Sequence, residues 1–527
     1  MRKISLYAAV LLGIIFDVLF WEKTPGISFA IFTMLCLACG YALLRIQNIQ
    51  PARLSWLLIA AIIFSSAMTF VRKEPFTMLA AYSLSLFGLA VLAITYRSGL
   101  WLSFGLADYM KALFALLASL ITTGWRLLAE PDPASASPVE GEYSNKKQSS
   151  LLPILRGLLL AVPMLIILTG LLSSADLIFA QKVRGLLALV RLQNLSEIFT
   201  RALLILLVAY ALAGVFWHAA NRSQDKDLAG TDRPTVTPFL GSIEATVILV
   251  SIMLLFSAFV LTQFQYFFSG QANISLEGFT YSEYARRGFG ELLAVAVISL
   301  VILQGLNAVT KVETSAQRTR LSALGVGLIT LVIIILVSSF QRLRLYEAAY
   351  GFSRLRVYAR VFTLWLGALL AAAAVLQVLR RQRAFAAALL ISAFGFGMSL
   401  SLLNVDAFIA HRNVLRAVNS AELDAAYLAL LSPDAVPTLA AAYSSGTLSG
   451  DLEEEIGAVL ACFSSCAQTR SPQNQPWQSF HLSDWRAARS LAMLEGKIST
   501  YQVDADSGSV TLNGNQWDLC GWQPVFD

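Results

Sequence analysis

The sequence predicts an all-α polytopic membrane protein, with about eleven transmembrane helices and a small C-terminal helical or α+β extramembrane domain. Apolar runs fill most of the first 403 residues, and runs of about 20 such residues are what a helix needs to cross a hydrocarbon core of roughly 30 Å. Hydrophobic residues make up 57% of the chain and charged residues only 14%. An ordinary soluble domain has about 25% charged residues, so a soluble protein is excluded.

The predicted spans follow one another from near the N-terminus to residue 403. In chain order they are 4–20, 27–44, 54–71, 77–94, 151–172, 202–217, 245–268, 289–306, 321–338, 361–379 and 385–403. A twelfth run, 113–128, follows Asp108 and Lys111 and contains Arg126. A helix of that kind either crosses the membrane or lies in the interface, so the sequence leaves open whether residues 104–128 span.

The composition divides the chain into two predicted domains. Residues 1–403 form a multi-span transmembrane domain, interrupted by a polar linker at 129–150 that is rich in Pro, Ser and charge. Residues 404–527 form an acidic extramembrane domain, which we call the tail, with 6 Lys/Arg against 14 Asp/Glu. In the tail, 420–431, 451–463 and 484–495 resemble short helices, and 498–503 and 510–517 resemble strands joined by a turn at 506–508.

The charge of the loops predicts the orientation. With eleven spans and a cytoplasmic N-terminus, the inner loops contain 19 Lys/Arg and the outer loops 14, whereas twelve spans give an even 16 to 16. Positive charge favours the cytoplasmic side, so the count favours eleven spans in a bacterial inner membrane. The tail is then periplasmic or extracellular.

The sequence argues against several chemistries. The basic residues lie in short loops between apolar runs, where they orient the chain in the bilayer, so we expect no nucleic-acid partner. His218, His411 and His481 have no zinc-binding spacing, and no phosphate-binding or nucleophile motif occurs. We therefore expect neither a cofactor nor a metal site, and an enzyme is the less favoured class.

The first of two polar segments, 280–291, interrupts the apolar pattern. On a helix Glu283 would reach Arg287, and Arg287 would reach Glu291, as an i,i+4 ionic ladder. This arrangement predicts either an anion or lipid-headgroup site or a self-satisfied interfacial anchor. The candidate residues of this segment are Tyr281, Glu283, Tyr284, Arg286, Arg287 and Glu291.

The second polar segment, 342–360, has five arginines and one carboxylate, Glu347. Because unpaired guanidinium groups are costly near the bilayer, we expect Glu347 to pair with a nearby arginine. We also expect the two segments to meet in one polar site, in which Glu283 or Glu291 contacts an arginine of the second segment. The candidate residues here are Arg342, Arg344, Glu347, Tyr350, Arg354 and Arg356.

Several segments together resemble an uncharacterised family of bacterial multi-pass membrane proteins that is known only as a domain of unknown function. They are residues 17–20, TYSEYARRGF at 280–289, LYEAAYGFSRLR at 345–356, NVDAFIA at 404–410, 423–428 and 434–437. The resemblance implies a bacterial inner-membrane location and supplies no activity.

Two functional hypotheses remain. The first is a non-enzymatic scaffold or accessory membrane protein whose tail docks a protein partner. The alternative is a transporter or lipid-handling protein that binds an anionic lipid or small anion at the Arg/Tyr/Glu site on the outer face. An outer tail would also meet an oxidising compartment, so we expect one disulfide among Cys462, Cys466 and Cys520.

Overall fold

The computed structural model forms two compact units, one of Met1–Trp21 with Leu116–Ala220 and one of Glu22–Ala115 with Asn221–Asp527. The structure describes residues 2–129, 195–223, 237–268, 288–419, 422–469, 476–504 and 507–520, with scattered positions between 161 and 182. The predicted span 151–172 and most of the first polar segment therefore lie outside the described residues.

The chain is predominantly helical. Its helices are α1 (Arg2–Phe20), α2 (Ile27–Ile46), α3 (Ser55–Val71), α4 (Pro75–Thr95), α5 (Leu106–Ala129), α6 (Leu195–Asn221), α7 (Ser242–Phe268), α8 (Phe289–Val309), α9 (Ser315–Tyr350), α10 (Arg354–Val378) and α11 (Phe385–Leu403). Within the described residues, eight helices are long and apolar enough to cross a membrane. These are α2, α4, α6, α7, α8, α9, α10 and the helix that ends at Leu403, while α1 and α3 are shorter apolar helices.

The first unit contains α1, the C-terminal part of α5, and α6. Gly13 of α1 lies against the backbone of Ile205, so that an added Cβ would be 2.6 Å from its carbonyl oxygen. Beside this contact Asp17 is 4% exposed and accepts a 2.7 Å hydrogen bond from Arg201 Nη2. Buried Ser119 and His218 are joined at 2.8 Å. Two polar pairs thus join the helices of this unit.

The helices of the second unit run alternately between two ends. Helices α2, α4 and α10 begin at the end that carries the tail, and α3, α9 and α11 finish there. We call this the tail end and the other the opposite end. At the opposite end, buried Asp108 at the start of α5 accepts a 2.5 Å hydrogen bond from Arg383 Nη2, just before α11.

Helix α9 is longer than the span predicted within it. Its 36 residues correspond to about 54 Å at the helical rise, which exceeds a hydrocarbon core of roughly 30 Å. A capping box between Thr314 and Gln317 begins the helix, and Gly351 with φ 77° ends it. The part after Ser338 therefore carries the second polar segment beyond the apolar stretch.

The tail folds as helices followed by a small sheet. Its helices are α12 (Val405–Val418), α13 (Ala425–Ala429), α14 (Val436–Ser444), α15 (Gly450–Thr469), α16 (Leu482–Ala492) and α17 (Glu495–Ile498), and its strands are β1 (Gln502–Asp504), β2 (Ser509–Leu512) and β3 (Asn515–Asp518). The sheet is antiparallel in the order β1-β2-β3, with Val503 opposite Val510 and Val510 opposite Trp517.

The strands of the tail differ from the sequence prediction in two details. The single strand predicted at 510–517 is wrong, because Asn513 (φ 52°) and Gly514 (φ 92°) turn the chain between β2 and β3. Asn-Gly is a typical two-residue hairpin turn, since both positions need positive φ. The strand predicted at 498–503 also begins later than expected, because Ile498 is the last residue of α17 and β1 begins at Gln502.

The tail shares its hydrophobic core with the tail ends of α10 and α11. Val357, Val361 and Leu400 belong to the same buried cluster as Ile409, Leu439 and Ile456 of the tail. All six are less than 10% exposed. The tail is thus packed on the span ends through apolar contact as well as through charge.

Close helix packing depends on glycines in α11. A Cβ at Gly395 would lie 2.1 Å from the indole ring of Trp365 in α10, and one at Gly397 would lie 2.3 Å from Leu84 in α4. Small residues that permit such approaches are a general device of membrane helix packing. Gly395 and Gly397 therefore serve helix packing.

Gly395→Ala should lower the free energy of unfolding by about 1–3 kcal/mol, the usual effect of overpacking a core. The Trp365 ring is rigid, and its Nε1 is held by Ser399 Oγ at 3.0 Å, so the ring cannot move aside without breaking that bond. Thermal unfolding of the purified protein in detergent measures the change. Gly305→Ala in α8 is the control, because its Cβ would meet nothing within 4 Å. Equal midpoints for the two variants would contradict this packing argument.

Candidate functional site

The tail end of the second unit contains a cluster of buried charged groups that joins the spans to the tail. Three carboxylates, Glu74, Asp406 and Asp434, are 2%, 0% and 5% exposed. They come from the start of α4, the start of α12 and the turn before α14. We call these three acids, with Arg72, Lys73, Arg354, Tyr358 and Tyr427, the ionic junction. Buried carboxylates need hydrogen-bonded partners, and the junction supplies them.

Asp406 and Arg354 form the centre of the ionic junction. Arg354 Nε donates to Asp406 Oδ1 at 2.9 Å, and Arg354 Nη2 donates to Oδ2 at 2.6 Å. The Ser432 N–H also donates to Oδ2, at 2.6 Å, and the Arg354 N–H donates to the Tyr427 hydroxyl oxygen at 2.8 Å. Paired hydrogen bonds between Arg and a carboxylate fix orientation as well as charge. This pair therefore sets the angle between α10 and the tail.

Glu74 has two roles at the start of α4. Its side chain caps the helix by accepting from the Phe76 and Thr77 N–H groups, at 2.9 and 2.7 Å, and Pro75 occupies the first helical position. Its Oε1 also accepts a hydrogen bond from the Tyr358 hydroxyl of α10. The N-cap residue of α4 is thereby hydrogen-bonded to α10.

Asp434 binds the loop between α3 and α4 to the tail. Its Oδ2 accepts from the N–H groups of Lys73 and Glu74, at 2.7 and 3.2 Å, and its Oδ1 lies 3.8 Å from Arg72 Nη1. Burial raises the pKa of Asp434, whereas the Lys73 N–H and the Arg72 guanidinium favour its charged form. This carboxylate connects residues more than 350 positions apart in the chain.

A second set of contacts lies beside the ionic junction, at α16. Lys73 Nζ donates to both carboxylate oxygens of Asp484, at 2.9 and 2.7 Å. The N–H of Ile27, the first residue of α2, donates to the Phe480 carbonyl oxygen at 3.0 Å. His481 is 7% exposed and hydrogen-bonds the backbone of Pro25. The segment before α16 is thus held at the starts of α2 and α4.

Protonation of His481 should lower the stability of the folded protein. Burial and the charge of Lys73 lower the pKa of His481 below its ordinary value near 6.5, and the charge of Asp484 opposes them. A lowered folded pKa means that the unfolded state binds the proton more readily. Stability is then fully present above about pH 6.5 and is lost as the pH falls through the folded pKa. We expect His481→Gln to reduce the fall in thermal midpoint between pH 7.5 and 5.5.

His411→Gln is the matched control for this pH dependence, because His411 lies exposed on α12. It should leave the difference between the two midpoints as in the unmodified protein. If His481→Gln and His411→Gln have the same effect, the pH dependence originates elsewhere. The carboxylates of the ionic junction are the same in all three proteins, so they do not affect the comparison.

Part of the second polar segment, together with Arg412 of α12, forms a separate group, which we call the arginine corner: Arg344, Glu347, Arg356, Arg360 and Arg412. Glu347 is 3% exposed, and Arg360 Nη1 lies 3.2 Å from its Oε2. The Arg356 guanidinium lies 4.2 Å from the centre of the Tyr346 ring and donates to the Gly351 carbonyl at 2.5 Å. Four arginines around one carboxylate leave an excess of positive charge. The predicted pairing of Glu347 with an arginine is confirmed.

The structure divides the second segment between these two groups. Gly351 ends α9, and the next helix carries Arg354 into the ionic junction, while Arg356 belongs to the arginine corner. Tyr350 stacks edge-on against Tyr346. Arg342 lies beside Gly288, where a Cβ would be 2.8 Å from its Nη1. Although Arg354 and Arg356 are two positions apart in the sequence, they serve different contacts.

The first segment is largely beyond what the structure describes. Tyr281, Glu283, Tyr284, Arg286 and Arg287 lie outside the described residues. Glu291 is exposed and, among the described residues, forms no ion pair. The contact between Gly288 and Arg342 brings the end of this segment beside the second one. The single polar site formed by both segments stays a prediction.

Glu74, Asp434 and Asp484 were not among the candidates that the sequence suggested. One local signal was available for Glu74, because an acid directly before Pro75 is typical of a helix N-terminus. The partners of Asp434 and Asp484 are each more than 350 positions away. No short-range pattern can indicate contacts of that kind.

The interior of the span bundle is apolar near the centre of α8 and α9. The side chains there leave no space for a water molecule; they are Ser299, Leu300, Leu303, Leu328, Ile329, Val332 and Leu370. Asn307 and Gln377 bind each other through both amide groups, at 3.1 and 3.3 Å. Among the described residues, no group of three or more His, Cys, Asp or Glu could hold a metal ion. The charged chemistry is concentrated at the tail end instead.

Comparison with known proteins assigns the chain to a family. No curated protein and no solved structure matches it. One family model, described as a domain of unknown function (DUF4153), matches residues 59–442. This range includes the ionic junction and the arginine corner, and it covers more than half of the 527 residues. The chain therefore belongs to the DUF4153 family of proteins of unknown function.

Proposed function

We propose that the protein is a non-enzymatic scaffold or accessory protein of a bacterial inner membrane, which holds its tail in a fixed orientation on the outer face. The observation that carries this proposal is the ionic junction. Its three buried carboxylates accept hydrogen bonds from backbone and side-chain donors in α4, α10, the loop before α4 and the turn before α14. Buried hydrogen bonds and ion pairs of this kind hold the tail in one orientation relative to the spans. A docking protein requires a surface with a fixed orientation.

The apolar contacts support the same proposal. The core shared by α10, α11 and the tail is continuous, and α15 and α16 pack over it through Ile456 and Leu491. A tail on a flexible linker could not present one surface to a partner at a constant distance from the membrane. Within the second unit, α10, α11 and the tail therefore act as one support.

Loop charge supports an outer position for the tail. At the opposite end of the second unit, the connections 45–54, 96–105, 310–320 and 379–384 contain nine Lys/Arg and one acid, Glu313. At the tail end, several basic residues are paired with carboxylates, as in Arg354–Asp406 and Lys73–Asp484, and the excess of positive charge is confined to the arginine corner. The positive-inside rule therefore favours a cytoplasmic opposite end.

Two experiments test the proposal. Alkaline phosphatase fused after Asp527 should be active, whereas a fluorescent protein that folds only in the cytoplasm should be dark; the reverse result contradicts the orientation. Photo-cross-linking residues at exposed tail positions should give a discrete protein adduct in cells. That adduct should be lost with Asp406→Asn, which loosens the tail, and kept with Asp518→Asn, an exposed acid of β3. An adduct that survives Asp406→Asn shows that tail orientation is not needed.

The arginine corner favours a second candidate, a transport or lipid-handling activity that receives an anionic group. Four arginines surround one carboxylate, Glu347, so that positive charge is in excess there. An anionic headgroup would offset the excess charge by bidentate contacts with guanidinium groups. Lipid that copurifies with the protein should then lose its phosphate-bearing fraction in Arg344→Gln/Arg356→Gln, but not in Arg380→Gln/Arg381→Gln at the opposite end. Equal lipid content in both variants removes this candidate.

A further inference from the structure

The segment from Trp477 to Met493 exposes an unusual set of side chains. Trp477, Phe480, Trp485 and Met493 are 59%, 39%, 49% and 73% exposed. Most large aromatic and apolar residues in the tail are buried in its core. Exposed tryptophans concentrated within nine positions therefore indicate contact with something other than water.

Helix α16 separates this set from the core of the tail. Its buried face consists of Ser483, Ala487 and Leu491 at four-residue spacing. The opposite face carries Trp485, Arg486, Arg489 and Met493, all exposed. The Arg489 guanidinium lies 5.6 Å from the centre of the Trp485 ring. This outer face thus combines aromatic, apolar and cationic groups. We call these four residues the α16 face; Trp477 and Phe480 precede it in the chain.

The backbone contacts of this segment fix its depth relative to the spans. Phe480 accepts from the N–H of Ile27, where α2 begins, and an added Cβ at Gly26 would be 2.6 Å from the Phe480 carbonyl oxygen. Asp484 binds Lys73, two residues after α3 ends. The starts of apolar helices mark the boundary of the hydrocarbon core, so the segment lies at the headgroup level.

We propose that the α16 face, with Trp477 and Phe480, rests in the phospholipid headgroup layer of the outer leaflet and anchors the tail to the membrane surface. Tryptophan is enriched at this level because its ring is apolar and its N–H is polar. Arg486 and Arg489 complement lipid phosphates, and their stems cover apolar surface. The lipid-facing surface of the spans is continuous with the patch, because Trp477–Ser479 pack at the start of α2.

The position of the α16 face beside the ends of α2 and α3 favours lipid over a protein partner as the group that contacts it. A partner protein would have to reach the exact level at which α2 and α3 leave the hydrocarbon, where headgroups are already present. The choice of the outer leaflet rests on the proposed orientation of the tail, whereas the lipid anchor itself does not depend on the scaffold function, because it is compatible with any activity of the tail.

Fluorescence quenching in nanodiscs of phosphatidylethanolamine and phosphatidylglycerol tests the proposal on the full chain. Emission of the protein minus that of Trp477→Phe/Trp485→Phe isolates the two tryptophans. We expect this difference to be strongly quenched by lipids with a nitroxide near the headgroup, weakly by lipids with the nitroxide at the chain end, and little by aqueous acrylamide. Trp517→Phe gives the control difference, from a half-buried tryptophan of β3, and should show no lipid quenching.

Strong acrylamide quenching without nitroxide quenching would overturn the proposal and would show a water-facing patch that is open to a protein partner. A second variant pair tests the charge. Arg486→Gln/Arg489→Gln should reduce headgroup quenching of Trp485 in these nanodiscs, whereas Arg380→Gln/Arg381→Gln at the opposite end should not. Unchanged quenching in both would overturn the role given to the two arginines.

Discussion

Arg354→Met should lower the free energy of unfolding by about 3–5 kcal/mol, the usual effect of removing one partner from a buried ion pair. Asp406 is fully buried, and without Arg354 it would keep only the 2.6 Å hydrogen bond from the Ser432 N–H. The tail should loosen at α12, since the pair joins that helix to α10. Thermal unfolding in detergent and the rate of proteolysis within the tail measure the two effects.

The double variant Arg354→Met/Asp406→Asn separates charge from packing. An asparagine can still accept from the Ser432 N–H, and it leaves no buried charge without a partner. We therefore expect the double variant to recover most of the lost stability. Arg344→Met is the control, because Arg344 is exposed and forms no ion pair among the described residues, and it should change stability by no more than about 0.5 kcal/mol. Equal losses in Arg344→Met and Arg354→Met would show that the pair has no special role.

Cys462→Ala/Cys520→Ala should destabilise the tail by about 4 kcal/mol, the loop-closure estimate for a bridge of this length. The structure joins Cys462 to Cys520, with 5.7 Å between their Cα atoms and 58 positions between them in sequence. The bridge connects α15 to the end of β3, so its loss should release the sheet. One disulfide was predicted among three cysteines, and the structure selects this pair.

Reduction of the Cys462–Cys520 disulfide tests the same contribution to stability without a substitution. A reducing agent should lower the thermal midpoint of the unmodified protein and have no further effect on Cys462→Ala/Cys520→Ala. Cys466→Ala, one turn further along α15 and outside the bridge, should behave as the unmodified protein does. Complete alkylation of all three tail thiols in the folded, unreduced protein would contradict both the bridge and the oxidising location that it implies.

The class of this protein was readable from the sequence because hydropathy is a local property. The predicted spans at 27–44, 77–94 and 385–403 correspond to α2, α4 and the helix ending at Leu403 within a few residues. The composition change after residue 403 also marked the true end of α11. Each of these features depends only on the residues within it and on the thickness of a bilayer.

The sequence was less informative at the polar segments. It indicated that the excess of arginine in 342–360 needed partners, and it identified Glu347 as one of them, because unpaired charge is costly in any fold. It could not show that Gly351 would divide the segment. Nor could it show that Arg354 would pair with Asp406, 52 positions away.

The sequence by itself therefore determined that the chain is a multi-span helical membrane protein with an acidic tail, since the pattern of apolar runs decides this residue by residue. Only the tertiary structure decided how the tail is held. Asp434 meets Lys73 and Glu74, and Phe480 meets Ile27, across more than 350 and 450 positions. Such contacts arise when packed helices bring distant ends together, and their free energy depends on burial, which no linear pattern records.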